Sequence, residues 1–352
     1  MPDSSWFYLA GGLVLLIICG DFLVRGASAL AARYGVSPLL IALTIVAFGT
    51  SAPELLVSVR AALAGAPGIA LGNVVGSNIA NILLILGLPA LILPIACTGR
   101  TVPHNMLIMM GASVLLIVLC FVGPLGFWQG VLLLALLATY LVYSGWDARM
   151  NPHSPSPLAA IDDETLPEPG QPYDAFAKPA DVDTHDLPHG DLPRENLSRR
   201  SIALKLLIGI AGLPIGARFV VDGGTEIAQV FGVSDAVIGL SLIAVGTSLP
   251  ELATSVMAVF RRNDDVVVGN IIGSNIMNIL AILGITALIA PLPVSPDFLT
   301  FHLWVMLGAV VLLLPFAMTG GKVGRFAGVL FLASYGAYLY AMFALGHMPG
   351  AA

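Results

Sequence analysis

The sequence predicts an all-α polytopic membrane protein, with ten transmembrane helices arranged as two inverted five-helix repeats. Three observations predict this. Of 352 residues, 57% are hydrophobic and only 10% charged, where a soluble globular chain carries about 25% charged residues. The apolar residues gather into stretches long enough to cross about 30 Å of hydrocarbon, which takes roughly 20 residues of helix. The chain also overlies itself at a single shift of 197 residues. Collagen-like, disulfide-stapled and nucleic-acid-binding classes are excluded by the same composition, since no basic surface, glycine period or paired cysteine spacing is present.

Ten apolar stretches are expected to span: 6–30, 38–64, 68–94, 103–122, 125–147, 201–228, 235–261, 265–290, 298–317 and 323–346. The N-terminal Met-Pro-Asp-Ser-Ser lacks a basic n-region, so the first stretch is expected to be a retained span rather than a cleaved signal. Positive charge fixes the expected orientation. With both termini outside, 13 of the 15 Lys and Arg residues fall at cytoplasmic loops or helix ends, and only Arg60 and Arg218 fall elsewhere. The expected setting is a multi-pass protein of the cytoplasmic (inner) membrane, with lipid around it and the central segment inside. The sequence does not fix the oligomeric state, and a monomer suffices.

The polar stretch 148–200 parts the spans into five and five. It is acidic and Pro-rich and holds ten of the 21 acidic residues, between Asp162 and Glu195. Low hydrophobicity and high charge predict a disordered cytoplasmic linker there. The expected units are therefore a first five-helix repeat over 1–147, the linker, and a second repeat over 201–352.

The internal match is in register without a gap. Residues 34–59 (YGVSPLLIALTIVAFGTSAPELLVSV) lie over 231–256 (FGVSDAVIGLSLIAVGTSLPELATSV), and 72–87 (GNVVGSNIANILLILG) over 269–284 (GNIIGSNIMNILAILG). Apolar helices share Leu, Ile and Val by chance; they do not share these Gly, Thr-Ser, Pro-Glu and Asn positions. Because each half has five spans, the second half enters the membrane from the opposite side, and the repeats are inverted. Transporters built this way bind substrate near the midplane, where broken helices of the two halves meet. The same shift sets Asp21 over Arg218 and Arg25 over Asp222, predicting two intrahelical i,i+4 ion pairs.

The repeated residues carry specific chemistry. Glu54 and Glu251 fall in the middle of spans two and seven, where a carboxylate costs at least about 3 kcal/mol unless a cation, a proton or a water-filled cavity meets it. Ala47, Thr50, Glu54 and Ser58 share one helix face, as do Ala244, Thr247, Glu251 and Ser255. Pro53 and Pro250 lack an amide hydrogen and crowd the carbonyl four residues earlier, so kinks are expected that expose nearby carbonyls, including those of Ala47 and Ala244. Spans three and eight offer a second polar stripe, Asn73, Ser77 and Asn81 matched by Asn270, Ser274 and Asn278, with Gly72, Gly76, Gly269 and Gly273 permitting close helix approach. The donors are all hard oxygens, which suit Ca²⁺, Na⁺, Mg²⁺ or Mn²⁺ rather than Zn²⁺ or Cu⁺. His104 and His302, near span ends, are expected at the membrane interface.

On these blocks the chain resembles the cation/Ca²⁺ exchanger superfamily, specifically its prokaryotic sodium/calcium exchangers, whose two alpha repeats would correspond to 35–87 and 232–284. The resemblance implies a secondary active antiporter, exchanging Na⁺ for Ca²⁺ by alternating access, with these ions as transported substrates, no cofactor and no enzymatic reaction. It implies that Glu54 and Glu251 bind Ca²⁺, with carbonyls of Thr50 and Thr247 and with Asn81 and Asn278 completing the centre. It further implies flanking Na⁺ sites lined by Ala47, Ala244, Ser51, Ser248, Ser77 and Ser274, on helices broken at Pro53 and Pro250. Asn278 stands where some microbial members carry Asp, so two formal charges rather than three are expected. One Ca²⁺ balances two carboxylates, and three Na⁺ would exceed them by one, making Ca²⁺ export electrogenic. A proton-coupled or K⁺-dependent divalent cation antiporter on the same scaffold is the alternative. A cation channel is the remote one, because the symmetry is internal and inverted rather than between subunits.

Overall fold

Residues 2–150, 198–230 and 244–344 are described by a computed structural model of the chain. The architecture is a bundle of long helices: α1 (Pro2–Tyr34), α2 (Pro38–Thr50), α3 (Ala52–Leu63), α4 (Pro67–Ile92), α5 (Val102–Val122), α6 (Phe127–Met150), α7 (Arg199–Val230), α8 (Leu249–Phe260), α9 (Asp264–Ile289), α10 (Phe298–Thr319) and α11 (Arg325–Ala344). Seven are long and apolar enough to cross a membrane, and the bent pair α2 and α3 makes an eighth crossing if counted as one span. The expected ten are not all reached by this measure among the described residues. The first third of expected span 235–261, residues 235–243, falls outside the described residues, leaving the 12-residue α8. α11, the expected span 323–346, is a 20-residue helix that is not among the seven. The linker expected over 148–200 lies outside the described residues across 151–197.

Local signals explain the helix starts. Pro38 at the head of α2 has its φ preset for a helix, and the Ser37 side chain accepts from the Leu40 amide at 3.2 Å. At α9 the Asn263 side chain accepts from the Val266 amide, with Asp264 and Asp265 in the first turn, where the helix dipole favours negative charge.

α4 and α9 form the centre: 72% and 89% of their apolar stretches are buried, against 22–44% for the other long helices. α1 runs along α7 on one side of this centre. Gly12 makes that approach possible, because a Cβ there would stand 2.7 Å from the Val220 amide nitrogen and 2.8 Å from the Gly216 carbonyl. In the centre, a Cβ at Gly273 would stand 2.6 Å from the Leu43 carbonyl oxygen, so α2 lies directly against α9.

Two strands, β1 (Ile95–Ala96) and β2 (Lys322–Val323), pair antiparallel. Their pairing requires the loops after α4 and α10 to lie on one side of the bundle, and Leu125 bridges Leu292 between two loops of the other set. Both expected ion pairs form, Arg25–Asp21 at 2.9 Å and Arg218–Asp222 at 3.4 Å. They are not equivalent. Arg261, at the end of α8, also binds Asp21, and Asn263 donates to Ser28 at 2.8 Å, so α1 is tied to the α8–α9 turn. Cys19, Cys97 and Cys120 are free and buried. His302 departs from expectation: it is buried rather than interfacial, its Nδ1 is 3.1 Å from the Tyr338 hydroxyl, and Phe298 and Phe301 flank the ring. An apolar neighbourhood that also offers a hydroxyl partner lets a histidine sit inside. His104 is exposed, against Tyr143.

Candidate cation site

The site is built at two matched helix interruptions. Ser51 (φ −81°, ψ 7°) separates α2 from α3, and Ser248 (φ −91°, ψ 7°) precedes α8. The two helices at the first break meet at 44°. Pro53 and Pro250 each fall at the second residue of the new helix rather than inside a continuous one. The expected bend is present at Pro53, as a break between two helices: a first-turn amide needs no intrahelical partner, so proline fits there at little cost. The backbone ladder runs from the Ser51 amide to the Ala47 carbonyl (3.0 Å), then resumes with Leu55 on Ser51 (3.1 Å). The carbonyls of Gly49 and Thr50 fall in the interruption. The Ala47 carbonyl does not stand bare, as it was expected to; it accepts from Ser51 and from the Thr50 hydroxyl at 3.3 Å. In the second half the Ser248 amide bonds Val245 rather than Ala244, and Leu252 resumes on Ser248.

The break puts Glu54 and Glu251 each in the first turn of its new helix, where the partial positive charge of the free amides favours a carboxylate. Both are 1% exposed and lie within electrostatic range of each other. Each is oriented by the other half of the chain. The Ser51 hydroxyl donates to Glu251 Oε1 at 3.0 Å, and the Ser248 hydroxyl donates to Glu54 Oε1 at 3.2 Å while lying 3.4 Å from Ser77 Oγ. The remaining oxygens, Glu54 Oε2 and Glu251 Oε2, have no hydrogen-bond donor among the described residues, and neither do Asn81 Oδ1 and Asn278 Oδ1. Buried acceptors are nearly always paired. Four such oxygens, contributed by α3, α4, α8 and α9, form a set that a cation can satisfy.

The neighbouring residues complete the wall. Thr50 donates to Asn270 Oδ1 at 3.2 Å, and Asn73 donates to the Glu54 carbonyl at 3.1 Å and to Ser58 at 3.0 Å. Thr247 lies beside Glu54, and Thr50 and Ser274 beside Glu251. The hydroxyls of Thr247, Ser274 and Ser255 have no partner among the described residues. Ala47 is buried, while the side chain of Ala244 is not among those described. At both Asn81 and Asn278 the helix widens into a π turn, Asn81–Leu86 and Asn278–Ile282, a feature frequent at functional sites.

Sequence reasoning passed over Asn78 and Asn275. The Asn278 amide donates to Asn78 Oδ1 at 3.0 Å, and Asn81 to Asn275 Oδ1 at 3.5 Å. Their signal was present in the repeated Gly-Ser-Asn, one turn before Asn81 and Asn278.

The family model described as sodium/calcium exchanger protein matches residues 4–146 and 201–344. The sodium/calcium exchanger MaX1 of Methanosarcina acetivorans is 35% identical over 371 residues, covering 97% of this chain and 99% of that one. The inner membrane protein YrbG of Escherichia coli is 37% identical over 286 residues, covering 81% and 80%. Among solved structures, the sodium-calcium exchanger NCX_Mj superimposes with a TM-score of 0.76 at 32% identity, covering 98% of this chain and 99% of its own. The match spans both halves and leaves out the segment between them: this chain belongs to the sodium/calcium exchanger protein family, whose members are transporters rather than enzymes.

Proposed function

We propose that the protein exchanges Na⁺ for Ca²⁺ across the cytoplasmic membrane by alternating access. Ca²⁺ is held at Glu54 and Glu251, with Asn81, Asn278 and the carbonyls of Thr50 and Thr247. Na⁺ binds in flanking positions around Ser51, Ser77 and Ala47 and around Ser248, Ser274 and Ala244. The observation that carries this reading is the crossed pairing of the two carboxylates, each held by a serine of the other half, with one oxygen of each undonated. Two buried carboxylates in electrostatic range repel unless a cation or proton meets them. One Ca²⁺ balances both charges, and three Na⁺ exceed them by one. Exchange is then electrogenic, with about 2.3 kcal/mol per net charge for each 100 mV of membrane potential. An inward Na⁺ gradient drives Ca²⁺ out. The positive-charge count supports both termini outside and the central segment inside, and the β1–β2 pairing supports placing two of the basic loops on one side.

Purified protein in liposomes loaded with Na⁺ tests the reading. External ⁴⁵Ca²⁺ should enter when Na⁺ is diluted outside, faster at an inside-positive potential and slower at an inside-negative one, because three Na⁺ leaving for each Ca²⁺ entering carry one net positive charge outward. E54Q and E251Q should each abolish entry. Uptake driven by a pH gradient and indifferent to Na⁺ would replace Na⁺ by H⁺ as the coupling ion, and a requirement for K⁺ would add a third one. Normal exchange by both glutamine variants would overturn the site itself.

A further inference from the structure

An asparagine beside a cation must present its oxygen, not its NH₂. The two ends of the amide are nearly the same size, so packing does not choose between them; hydrogen bonding must. At Asn278 the choice can be traced to a group that cannot turn over. The Asn78 Nδ2 donates to the backbone carbonyl of Asn275 at 3.4 Å and lies 3.9 Å from Met306 Sδ. Both of those accept only, so Asn78 must point its amide nitrogen toward them and its Oδ1 the other way. That Oδ1 accepts from Asn278 Nδ2 at 3.0 Å. Asn278 is then held with its Nδ2 on Asn78 and its Oδ1 turned away from it, buried and without a donor among the described residues. The counterpart is looser. Asn275 Oδ1 accepts from Asn81 Nδ2 at 3.5 Å, and Asn275 Nδ2 has no partner among the described residues. Asn78 and Asn275 are 2% and 1% exposed, so no solvent competes for these bonds.

We propose that Asn78 and Asn275 are positioning residues that fix the amide polarity of Asn278 and Asn81, so that both present oxygen to the transported cation. The role rests on the assignment of Asn81 and Asn278 to the cation centre. It separates the residues that touch the ion from those that aim them, and it makes the hold on Asn278 firmer than that on Asn81.

The test uses full-length protein in liposomes, measuring Na⁺-driven ⁴⁵Ca²⁺ uptake. N78A should raise the Ca²⁺ KM at least tenfold while changing kcat no more than about threefold, with N275A milder. The decisive comparison is the same change in an N278D background. A carboxylate has oxygen at both ends and no wrong orientation, so there N78A should shift KM by no more than about twofold relative to N278D alone. N275A in an N81D background is the mirror experiment and serves if N78A does not fold. An equal rise in KM in both backgrounds assigns Asn78 a merely structural role and overturns the proposal. So does an N78A KM within twofold of the parent. Either result leaves the cation site standing if E54Q and E251Q are inactive; active glutamine variants would instead remove the site on which the proposal depends.

Discussion

G273A adds one methyl group at the contact between α9 and α2, and its cost can be worked from distances. The new carbon would stand 2.6 Å from the Leu43 carbonyl oxygen, 2.7 Å from Leu43 Cα and 2.8 Å from Ala47 Cβ. An ordinary contact needs about 3.4 Å or more, so α2 must retreat by about 0.8 Å. Two of the three obstacles are backbone, which cannot turn aside. The Thr50–Asn270 hydrogen bond, already 3.2 Å long, spans the same two helices and would open past any useful length. Overpacking costs about 1–3 kcal/mol, and the buried Asn270 Oδ1 left without its donor costs about 1–3 kcal/mol more. G273A should therefore lose about 2–6 kcal/mol of stability, together with Ca²⁺ affinity, because Thr50 moves away from Glu251. G111A is the matched control, since a Cβ at Gly111 meets nothing within 4 Å. Thermal unfolding in detergent, with and without Ca²⁺, reads both effects. If G273A melts with the parent and retains its Ca²⁺-induced rise in Tm, the close approach of α2 and α9 does not hold the site together.

Three further outcomes follow from the same geometry. S51A and S248A each remove a hydrogen bond to a carboxylate, worth about 1.5–3 kcal/mol. Each should lower the Tm measured without Ca²⁺, and S51A should cost less in an E251Q background than in an E54Q one; equal costs in both would break the crossed pairing. R261A should destabilise by about 2 kcal/mol, between exposed and buried pairs, because Asp21 and Arg261 are 15% and 21% exposed. R218A, in a pair 80% and 59% exposed, should cost no more than about 1 kcal/mol, and equal Tm losses would contradict the distinction. The Cys97 thiol, in the loop after α4, is pushed up to about 12 by burial and then by Asp264. It should therefore stay protonated and unlabelled by maleimide at pH 8 until the protein is denatured; rapid native labelling would show that the loop is open.

The carboxylates and the polar stripes were legible because burial in an apolar span makes a charge costly and a repeat in register makes coincidence untenable. Glu54, Glu251, Asn81 and Asn278 all carry oxygens without donors, as that cost predicts. The details that went unread depend on tertiary geometry. Whether Pro53 kinks a helix or starts one depends on the Ser51 dihedrals, which residue types alone do not specify. Asn78 looks in sequence like one more small polar residue, and only the position of the Asn275 carbonyl reveals what it does. The burial of His302 depends on Tyr338, 36 residues later and in another helix.

The hydrogen bonds across the site obey the sequence repeat in some places and break it in others, and the breaks are informative. Shifting by 197 residues maps Ser51–Glu251 onto Ser248–Glu54 and Asn81–Asn275 onto Asn278–Asn78, and all four bonds are present. The same operation fails outside this centre. Thr50 donates to Asn270, while Thr247 has no partner among the described residues; Asn73 bridges Glu54 and Ser58, while Asn270 Nδ2 and Ser255 Oγ have none. The residues at these positions are identical in the two halves, so the side chains themselves do not dictate which half forms its bonds. An arrangement with the roles exchanged would have Thr247 on Asn73 and Asn270 bridging the Glu251 carbonyl and Ser255. It would contain the same bonds, as the two states of the proposed alternating access would need. The crossed bonds at the carboxylates would persist in both states, while the flanking bonds change sides. A structure of the opposite-facing state should show that exchange, and Thr50–Asn270 and Asn73–Ser58 intact in both states would show that the asymmetry has no part in the transport cycle.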